Sequence, residues 1–248
     1  MSEQIIYSRD GAVASIRFNR PEKKNAITLA MYDAMASALE DADGNDDIRA
    51  VGLFGGEAFT AGNDIADFLA GGAFNSADHP ALKFLRVIRD FRKPVIAGVK
   101  GVAIGIGTTL LMHCDAVVAG NSARFSMPFT KLGVVPEAGA SALFPLIAGR
   151  MRASWYLLSG EQFGAQQALE MGLVTRVTED HDVDGAVAIM CGELAELPKN
   201  SVMTTKRLLK ARFTDIVTAA MDDEARNFAA ALQSDEARAA FMKFLQRS

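Results

Sequence analysis

One glycine-rich turn constrains the fold more than any other feature of the sequence. A buried strand is predicted over residues 95–99, and the chain then reads Gly101-x-x-x-Gly105-x-Gly107 before an apolar helical run. Glycines at this spacing let the backbone approach a ligand at a helix N-terminus, where unpaired N–H groups and a partial positive charge are available. Such a turn suits either a dinucleotide pyrophosphate or the negative charge that develops on an enolate oxygen.

The dinucleotide interpretation fits the rest of the chain poorly. Four strands are predicted up to this turn, whereas a dinucleotide-binding fold usually places its glycine turn after the first strand. A short-chain dehydrogenase would also need a Tyr-x-x-x-Lys pair, because the ammonium group lowers the pKa of the tyrosine. The residues four positions after the three tyrosines are instead Gly11, Ala36 and Gly160. A lone glycine pattern is weak evidence, so the enolate interpretation is favoured.

Composition and charge exclude several other classes of function. The 248 residues are 50% hydrophobic and 23% charged, which is enough for a sizeable core, and the net charge of −4 without a basic stripe argues against a nucleic-acid partner. The side chains Cys114, Cys191, His79, His113 and His181 have no metal-ligand or disulfide spacing, and His113 is expected in the core or at an interface. With no apolar signal core and no membrane-length apolar run, we expect a cytoplasmic protein without a membrane partner.

Strands and helices alternate in the first half of the chain, and helices dominate from about residue 137. Strands are predicted over 4–9, 13–18, 50–55, 95–99, 116–119, 124–126 and 174–177, and helices over about 28–43, 65–69, 80–91 and 198–247. Residues 71–80 have the composition of a mobile loop. This order predicts an α/β core with a helical C-terminal appendage. The helical spacing of Phe241, Phe244 and Leu245 suits packing either on this core or on another subunit.

An enolate needs two N–H donors, and the segment 59–65 offers a second tight turn that follows a strand and enters a helix. The sequence then resembles the crotonase superfamily, the enoyl-CoA hydratase/isomerase family, over essentially its whole length. Five stretches carry the resemblance: FNRPEKKNAI (18–27), FTAGNDI (59–65), KPVIAGVKGVAIGIGTTLLMHCD (93–115), ARFSMPFTKLGVVPEAGASALFPLIAG (123–149) and ALEMGLVTRV (168–177).

The resemblance implies a fold, an assembly and a substrate class. The fold is a spiral of ββα units over residues 1–195, followed by a helical trimerisation region over residues 196–248. The assembly is a homotrimer or a dimer of trimers. Substrates are acyl thioesters of coenzyme A, and no separate cofactor or metal is implied because coenzyme A is part of the substrate.

The resemblance also assigns site residues. The backbone N–H groups of Asn63 and Ile106 stand where the family holds the thioester oxygen. Lys23 and Lys24 lie in a loop near the coenzyme A phosphates, although solvated loop lysines are an equal alternative. Asp64 lies on the thioester side of the pocket but is favoured as an N-cap of the helix that follows it. The remaining residues expected to bind substrate are Ala61, Gly62, Ile65, Gly105 and Phe129.

The reaction depends on which carboxylates are present. Hydratases of this family use two glutamates, and this sequence has Thr109 and Phe129 at those positions. Glu137 directly follows Pro136, in a segment similar to that of peroxisomal-type Δ3,Δ2-enoyl-CoA isomerases, where it corresponds to the single catalytic glutamate. A single base suffices to move a double bond, and an apolar pocket tends to raise its pKa.

Other interpretations stay open at this point. Glu137 could simply be an acidic residue at a helix N-terminus, where a negative charge is favourable. The chain could also be a hydratase with unusual acids, catalyse another crotonase-type reaction, or be an inactive acyl-CoA-binding subunit. Under the isomerase hypothesis, Phe129, Val134 and Val135 are expected to keep the cavity around Glu137 dry.

Overall fold

The computed structural model describes residues 3–70 and 78–245. The strands are β1 (Ile5–Asp10), β2 (Val13–Phe18), β3 (Ala50–Phe54), β4 (Val95–Val99), β5 (Val102–Ile104), β6 (Ala116–Gly120), β7 (Arg124–Ser126), β8 (Phe163–Gly164) and β9 (Arg176–Thr178). The helices are α1 (Leu29–Gly44), α2 (Ile65–Ala70), α3 (Pro80–Asp90), α4 (Ile106–Thr109), α5 (Ala140–Ala148), α6 (Arg150–Ser159), α7 (Ala165–Met171), α8 (Val183–Glu196), α9 (Lys199–Ala211), α10 (Thr214–Leu232) and α11 (Asp235–Leu245).

Two sheets organise the core. The larger has the order β1-β2-β3-β4-β6-β9, with an antiparallel β1–β2 hairpin and parallel pairs thereafter, and the smaller has the order β5-β7-β8. Strands β3 and β4 are buried along their whole length because they are covered on both faces. Val183, Val187 and Cys191 of α8 cover one face, and the main apolar core covers the other.

Most predicted elements are confirmed, but strands β5 and β8 were not predicted, and α4 and β9 differ from prediction in their bounds. Thr28 caps α1 as expected, since its hydroxyl accepts a hydrogen bond from the Met31 N–H at 3.2 Å. The glycine turn contains the unpredicted strand β5, which pairs with β7, and the helix after it is four residues long before a 3-10 turn over Leu110–His113. Strand β9 begins two residues later than predicted. The predicted mobile loop lies mostly outside the described residues.

The C-terminal region is helical, as predicted. The side chain of Phe241 is buried against the chain's own core, and α11 lies close to Gly133, where an added Cβ would come within 2.8 Å of the Ala237 backbone. The side chains of Phe244 and Leu245 lie outside the described part of the chain. Within residues 3–70 and 78–245, no helix combines the length and apolarity of a membrane span.

Candidate active site

The two tight turns of the sequence run side by side. The Phe59 N–H donates to the Lys100 carbonyl at 2.9 Å, and the Ile104 N–H donates to the Thr60 carbonyl at 3.0 Å. Gly62 has a φ of +91°, and a Cβ at this position would lie 2.9 Å from the Ile104 oxygen, so the close approach requires glycine. The segment before α2 and the segment before α4 therefore meet at one place.

A cavity of about 390 Å³ lies where these segments meet. Seven residues expected at the site line it, namely Ala61, Gly62, Asn63, Ile65, Gly105, Ile106 and Phe129. Val134, which was expected near the site, also lines the cavity. The remaining lining residues were not expected and are Ile104, Pro128, Lys131, Leu132, Phe228, Ala240, Phe241 and Lys243. A concave, mostly apolar cavity with few polar groups is typical of a small-molecule site.

The polar groups offered to this cavity are backbone N–H groups. Ile27 pairs with Asn63 through the carbonyl of Gly62 and the N–H of Asp64, so the N–H of Asn63 itself faces away from Ile27. Ile106 is the first residue of α4, where an N–H has no intrahelical partner. Among the described residues, neither the Asn63 N–H nor the Ile106 N–H donates to a protein acceptor. Two unpaired donors at one apolar cavity suit a developing oxyanion.

The Asn63 side chain has a partner that sequence reasoning missed. The buried hydroxyl of Tyr32 on α1 donates to the Asn63 side-chain oxygen at 2.5 Å. Burial, together with the nearby charge of Glu137, raises the pKa of Tyr32 well above its ordinary value, so the hydroxyl stays protonated. In the sequence Tyr32 is one residue of an apolar helix face, and nothing local marks it as a partner of residue 63.

Glu137 is the most perturbed carboxyl near the cavity. It is buried, and one carboxylate oxygen accepts the Thr109 hydroxyl at 2.5 Å. Burial raises the pKa of Glu137 to about 8; the Thr109 hydrogen bond opposes the rise, and the charge of Glu224 adds to it. Glu137 lies in the loop before α5, which begins at Ala140, so it is not part of the helix itself. Glu137 is not among the described residues that line the cavity, so its catalytic role stays a prediction.

Two buried groups hold the loop that carries Glu137. The Glu224 carboxylate on α10 accepts the N–H groups of Gly139 at 2.6 Å and Ser141 at 2.7 Å. On the other side, the His113 ring nitrogen Nε2 donates to the Ala138 carbonyl at 2.7 Å, and burial lowers the pKa of His113 to about 4. His113 is therefore a neutral core histidine. Glu224 follows two aspartates in the sequence, and that acidic run gives no sign of a buried role.

Three residues expected to bind substrate do not line the cavity. Lys23 and Lys24 are exposed, although the Lys24 carbonyl accepts the Ala61 N–H at 2.9 Å and so fixes their loop beside the cavity wall. Asp64 accepts the Asp67 N–H at 3.2 Å, which confirms the N-cap interpretation, and forms a 2.8 Å ion pair with Arg20. Both oxygens of Asp64 already bond to the protein, and its assignment to substrate binding stays a prediction.

The fold and the site together define a crotonase-type protein. The chain belongs to the enoyl-CoA hydratase/isomerase family, whose model matches residues 8–248. It is 36% identical to enoyl-CoA delta isomerase 2 of Rattus norvegicus, over 99% of this chain and 64% of that protein. It is 32% identical to 1,2-epoxyphenylacetyl-CoA isomerase of Escherichia coli K12, over 90% of this chain and 88% of that protein.

The comparison with solved structures confirms the predicted fold class. An enoyl-CoA hydratase/isomerase from Pseudoalteromonas atlantica T6c superposes with a TM-score of 0.94 at 39% identity, covering 99% of this chain and 98% of that one. The present chain spans about 64% of the length of the curated rat relative, so that relative contains a further portion that has no counterpart in these 248 residues.

Proposed function

We propose that the chain is a Δ3,Δ2-enoyl-CoA isomerase and that Glu137 is its single base. The observation that supports this is the burial of Glu137 next to Thr109. Thr109 belongs to the short helix α4, and the first residue of that helix, Ile106, offers an unpaired N–H to the cavity. The name of the rat relative, a delta isomerase, agrees with this proposal.

In the proposed reaction, the carbonyl oxygen of a 3-enoyl thioester accepts hydrogen bonds from the N–H groups of Asn63 and Ile106. The Glu137 carboxylate takes a proton from C2, and the electrons of that C–H bond form a dienolate with the negative charge on its oxygen. The same carboxyl then returns the proton to C4. The double bond moves from C3–C4 to C2–C3, and no co-reactant is consumed.

The acyl chain must approach Glu137 through the wall of the cavity. Phe129 and Val134 belong to this wall, and the Phe129 ring lies over Gly105, where an added Cβ would be 3.9 Å from it. We therefore propose that C2 to C4 of the substrate enter between Phe129 and Val134. Their apolar side chains would exclude water from the dienolate, which favours proton return over hydration.

A hydratase mechanism has less support. Hydration requires one group to deprotonate water and another to protonate the α-carbon. A phenylalanine at position 129 exchanges no proton, and a threonine hydroxyl at position 109 is far too weak an acid or base near neutrality. In addition, the Thr109 hydroxyl donates to Glu137. Thr109 therefore serves as a hydrogen-bond partner of one carboxyl, and Phe129 supplies no second acid or base.

The test offers 3-enoyl-CoA and 2-enoyl-CoA in parallel to the parent and to Glu137→Gln. We expect conjugated product from 3-enoyl-CoA, and a loss of at least about 100-fold in Glu137→Gln with acyl-CoA affinity retained. Formation of 3-hydroxyacyl product from 2-enoyl-CoA as the faster reaction would instead establish a hydratase. Tight acyl-CoA binding without turnover of either substrate would indicate an inactive binding subunit.

We also propose that Lys23 and Lys24 contact the phosphates of the coenzyme A nucleotide. Their loop is exposed but fixed beside the cavity wall at Ala61. Replacing both lysines by alanine should raise KM for enoyl-CoA and leave KM for the matching enoyl-pantetheine thioester, which has no nucleotide, unchanged. An equal rise for both thioesters would contradict this role.

A further inference from the structure

Helix α10 packs one face against the segment that carries Glu137. The buried residues of this face are Val217, Met221, Glu224 and Phe228. Phe228 lines the cavity, and a Cβ added to Gly139 would lie 3.1 Å from Val217 and 3.2 Å from Met221. Glu224 is the one charged residue of this otherwise apolar face, and a buried carboxylate needs specific partners.

The partners of Glu224 are backbone N–H groups at the start of α5. Each of its two oxygens accepts one N–H, from Gly139 at 2.6 Å and from Ser141 at 2.7 Å. These N–H groups have no acceptor within their own helix, and a negative charge is favourable at a helix N-terminus. Burial raises the pKa of Glu224 above its ordinary value, and the hydrogen bonds from Gly139 and Ser141 oppose that rise. Since each oxygen accepts an N–H group, the geometry suits an ionised carboxylate.

The capped residues are directly connected to Glu137. Ala138 and Gly139 both have left-handed backbone conformations, with φ of +63° and +74°. An alanine adopts this conformation only where the surroundings impose it. Glu224 fixes this turn on one side at Gly139, and His113 fixes it on the other at the Ala138 carbonyl. The direction of the Glu137 side chain therefore depends on these two contacts.

We infer that Glu224 is a positioning residue for Glu137, because it fixes the turn over residues 137–141 and keeps a negative charge beside the base. This inference rests on the proposed function. Among the residues that the structure describes, the polar groups that face Glu137 or its turn are Thr109 on α4, Tyr32 on α1, Glu224 on α10 and His113. Tyr32 and His113 are neutral near pH 7, so the charge in this set is that of Glu224. Removing it should lower the pKa of Glu137.

The experiment measures kcat and KM for 3-enoyl-CoA across the pH range in the full chain. Glu224→Gln should lower kcat about tenfold, change KM less than about twofold, and move the midpoint of the pH profile down by at least about half a pH unit. Glu224→Asp keeps the charge on a shorter side chain, so kcat should fall while the midpoint stays. This second variant keeps the test valid if Glu224→Gln does not fold.

Two matched controls separate charge from packing. Met221→Ala removes a side chain that contacts the same turn without changing any charge, so the midpoint should not move. Asp223→Asn removes a neighbouring but exposed charge that pairs with Arg226, and it should leave both rate and midpoint unchanged. A midpoint that stays the same in Glu224→Gln, or that moves equally in Met221→Ala, would overturn the inference.

A direct titration distinguishes this inference from the proposed reaction. The infrared band of the protonated Glu137 carboxyl can be assigned by its loss in Glu137→Gln. The band should titrate at lower pH in Glu224→Gln than in the parent. If the band shifts in this way but no variant isomerises any enoyl-CoA, the coupling between the two carboxyls holds and the isomerase assignment is wrong. If the band does not shift, the coupling itself is wrong.

Discussion

Replacing Glu137 by glutamine should stabilise the folded chain while abolishing the proposed activity. The side chain is buried, and no ion pair with it occurs among the described residues. Burial raises the pKa of Glu137 from 4.5 to about 8. That interval corresponds to a cost on the order of 5 kcal/mol for keeping the ionised side chain folded, at about 1.4 kcal/mol per pH unit. Glutamine has nearly the same shape and still accepts the Thr109 hydroxyl, but it never carries this charge.

The direction of the pKa shift of Glu137 determines the pH range over which the unfolding free energy changes. A group whose folded pKa lies above its unfolded value contributes stability that is fully present below the unfolded pKa and is lost as pH rises through the folded pKa. For Glu137 that window runs from 4.5 to about 8. The parent should therefore lose stability relative to Glu137→Gln across this window. We expect the difference between the two proteins to grow by about 3 kcal/mol from pH 5 to pH 8.

The assay is equilibrium unfolding by urea at several pH values and one protein concentration, because assembly would otherwise shift the apparent stability. Glu193→Gln makes the same chemical change at an exposed residue of α8 and should stay within about 0.5 kcal/mol of the parent throughout. A Glu137→Gln variant that is equally stable or less stable than the parent at every pH would show that this carboxyl is solvated or paired, and the reasoning would fail.

Three further predictions concern the donors and the assembly. Proline is tolerated at the first position of a helix, so Ile106→Pro should remove the N–H of that residue without unfolding α4. The loss should be about 3 kcal/mol of transition-state stabilisation, measured as kcat/KM. Ile106→Ala keeps the N–H and should retain most activity. Asn63→Ala leaves the backbone donor in place but deprives the buried Tyr32 hydroxyl of its acceptor; it should lower the unfolding free energy by about 1–3 kcal/mol, and Tyr32→Phe in the same chain should recover part of that loss. We also expect a trimer or a dimer of trimers by light scattering, and a monomeric mass at micromolar concentration would contradict this. Helix α6 exposes Met151, Trp155 and Leu158, and Trp155→Glu should lower the assembled mass if these residues contribute to the interface.

The two turns that carry the proposed donors were predictable from sequence because their geometry is local, whereas the resemblance to the crotonase superfamily assigned Asn63 and Ile106 within them. Glycine at positions 62 and 105 permits backbone conformations that other residues rarely adopt, and each glycine directly precedes its donor, Asn63 or Ile106. The strand before each turn and the apolar residues after it are visible in the sequence as well. The strand β5 was missed because it is three residues long and exists only through its pairing with β7.

The hydrogen-bond partners of the Asn63 side chain and of the Gly139 N–H were not predictable because they come from distant parts of the chain. Tyr32 lies 31 residues from Asn63, and Glu224 lies 85 residues from Gly139. In the sequence both occur in ordinary amphipathic helices. Their roles follow from how α1 and α10 pack on the core. Sequence periodicity predicts which face of a helix packs on the core, but not which residues that face contacts.

Two carboxyls of this protein differ in how their charge is compensated, and the difference supports the proposed role of Glu137. Asp115 lies next to the buried ammonium of Lys206, at 2.7 Å, so its charge is compensated where it is held. Glu137 has instead a hydroxyl as its hydrogen-bond partner and a second carboxyl, Glu224, nearby. An unpaired buried carboxyl lowers stability, and an apolar residue of similar size would avoid that cost. Under the proposed reaction, what Glu137 offers in return is a carboxyl that gains and loses a proton near neutral pH, which is the property that moving a proton between two carbons requires.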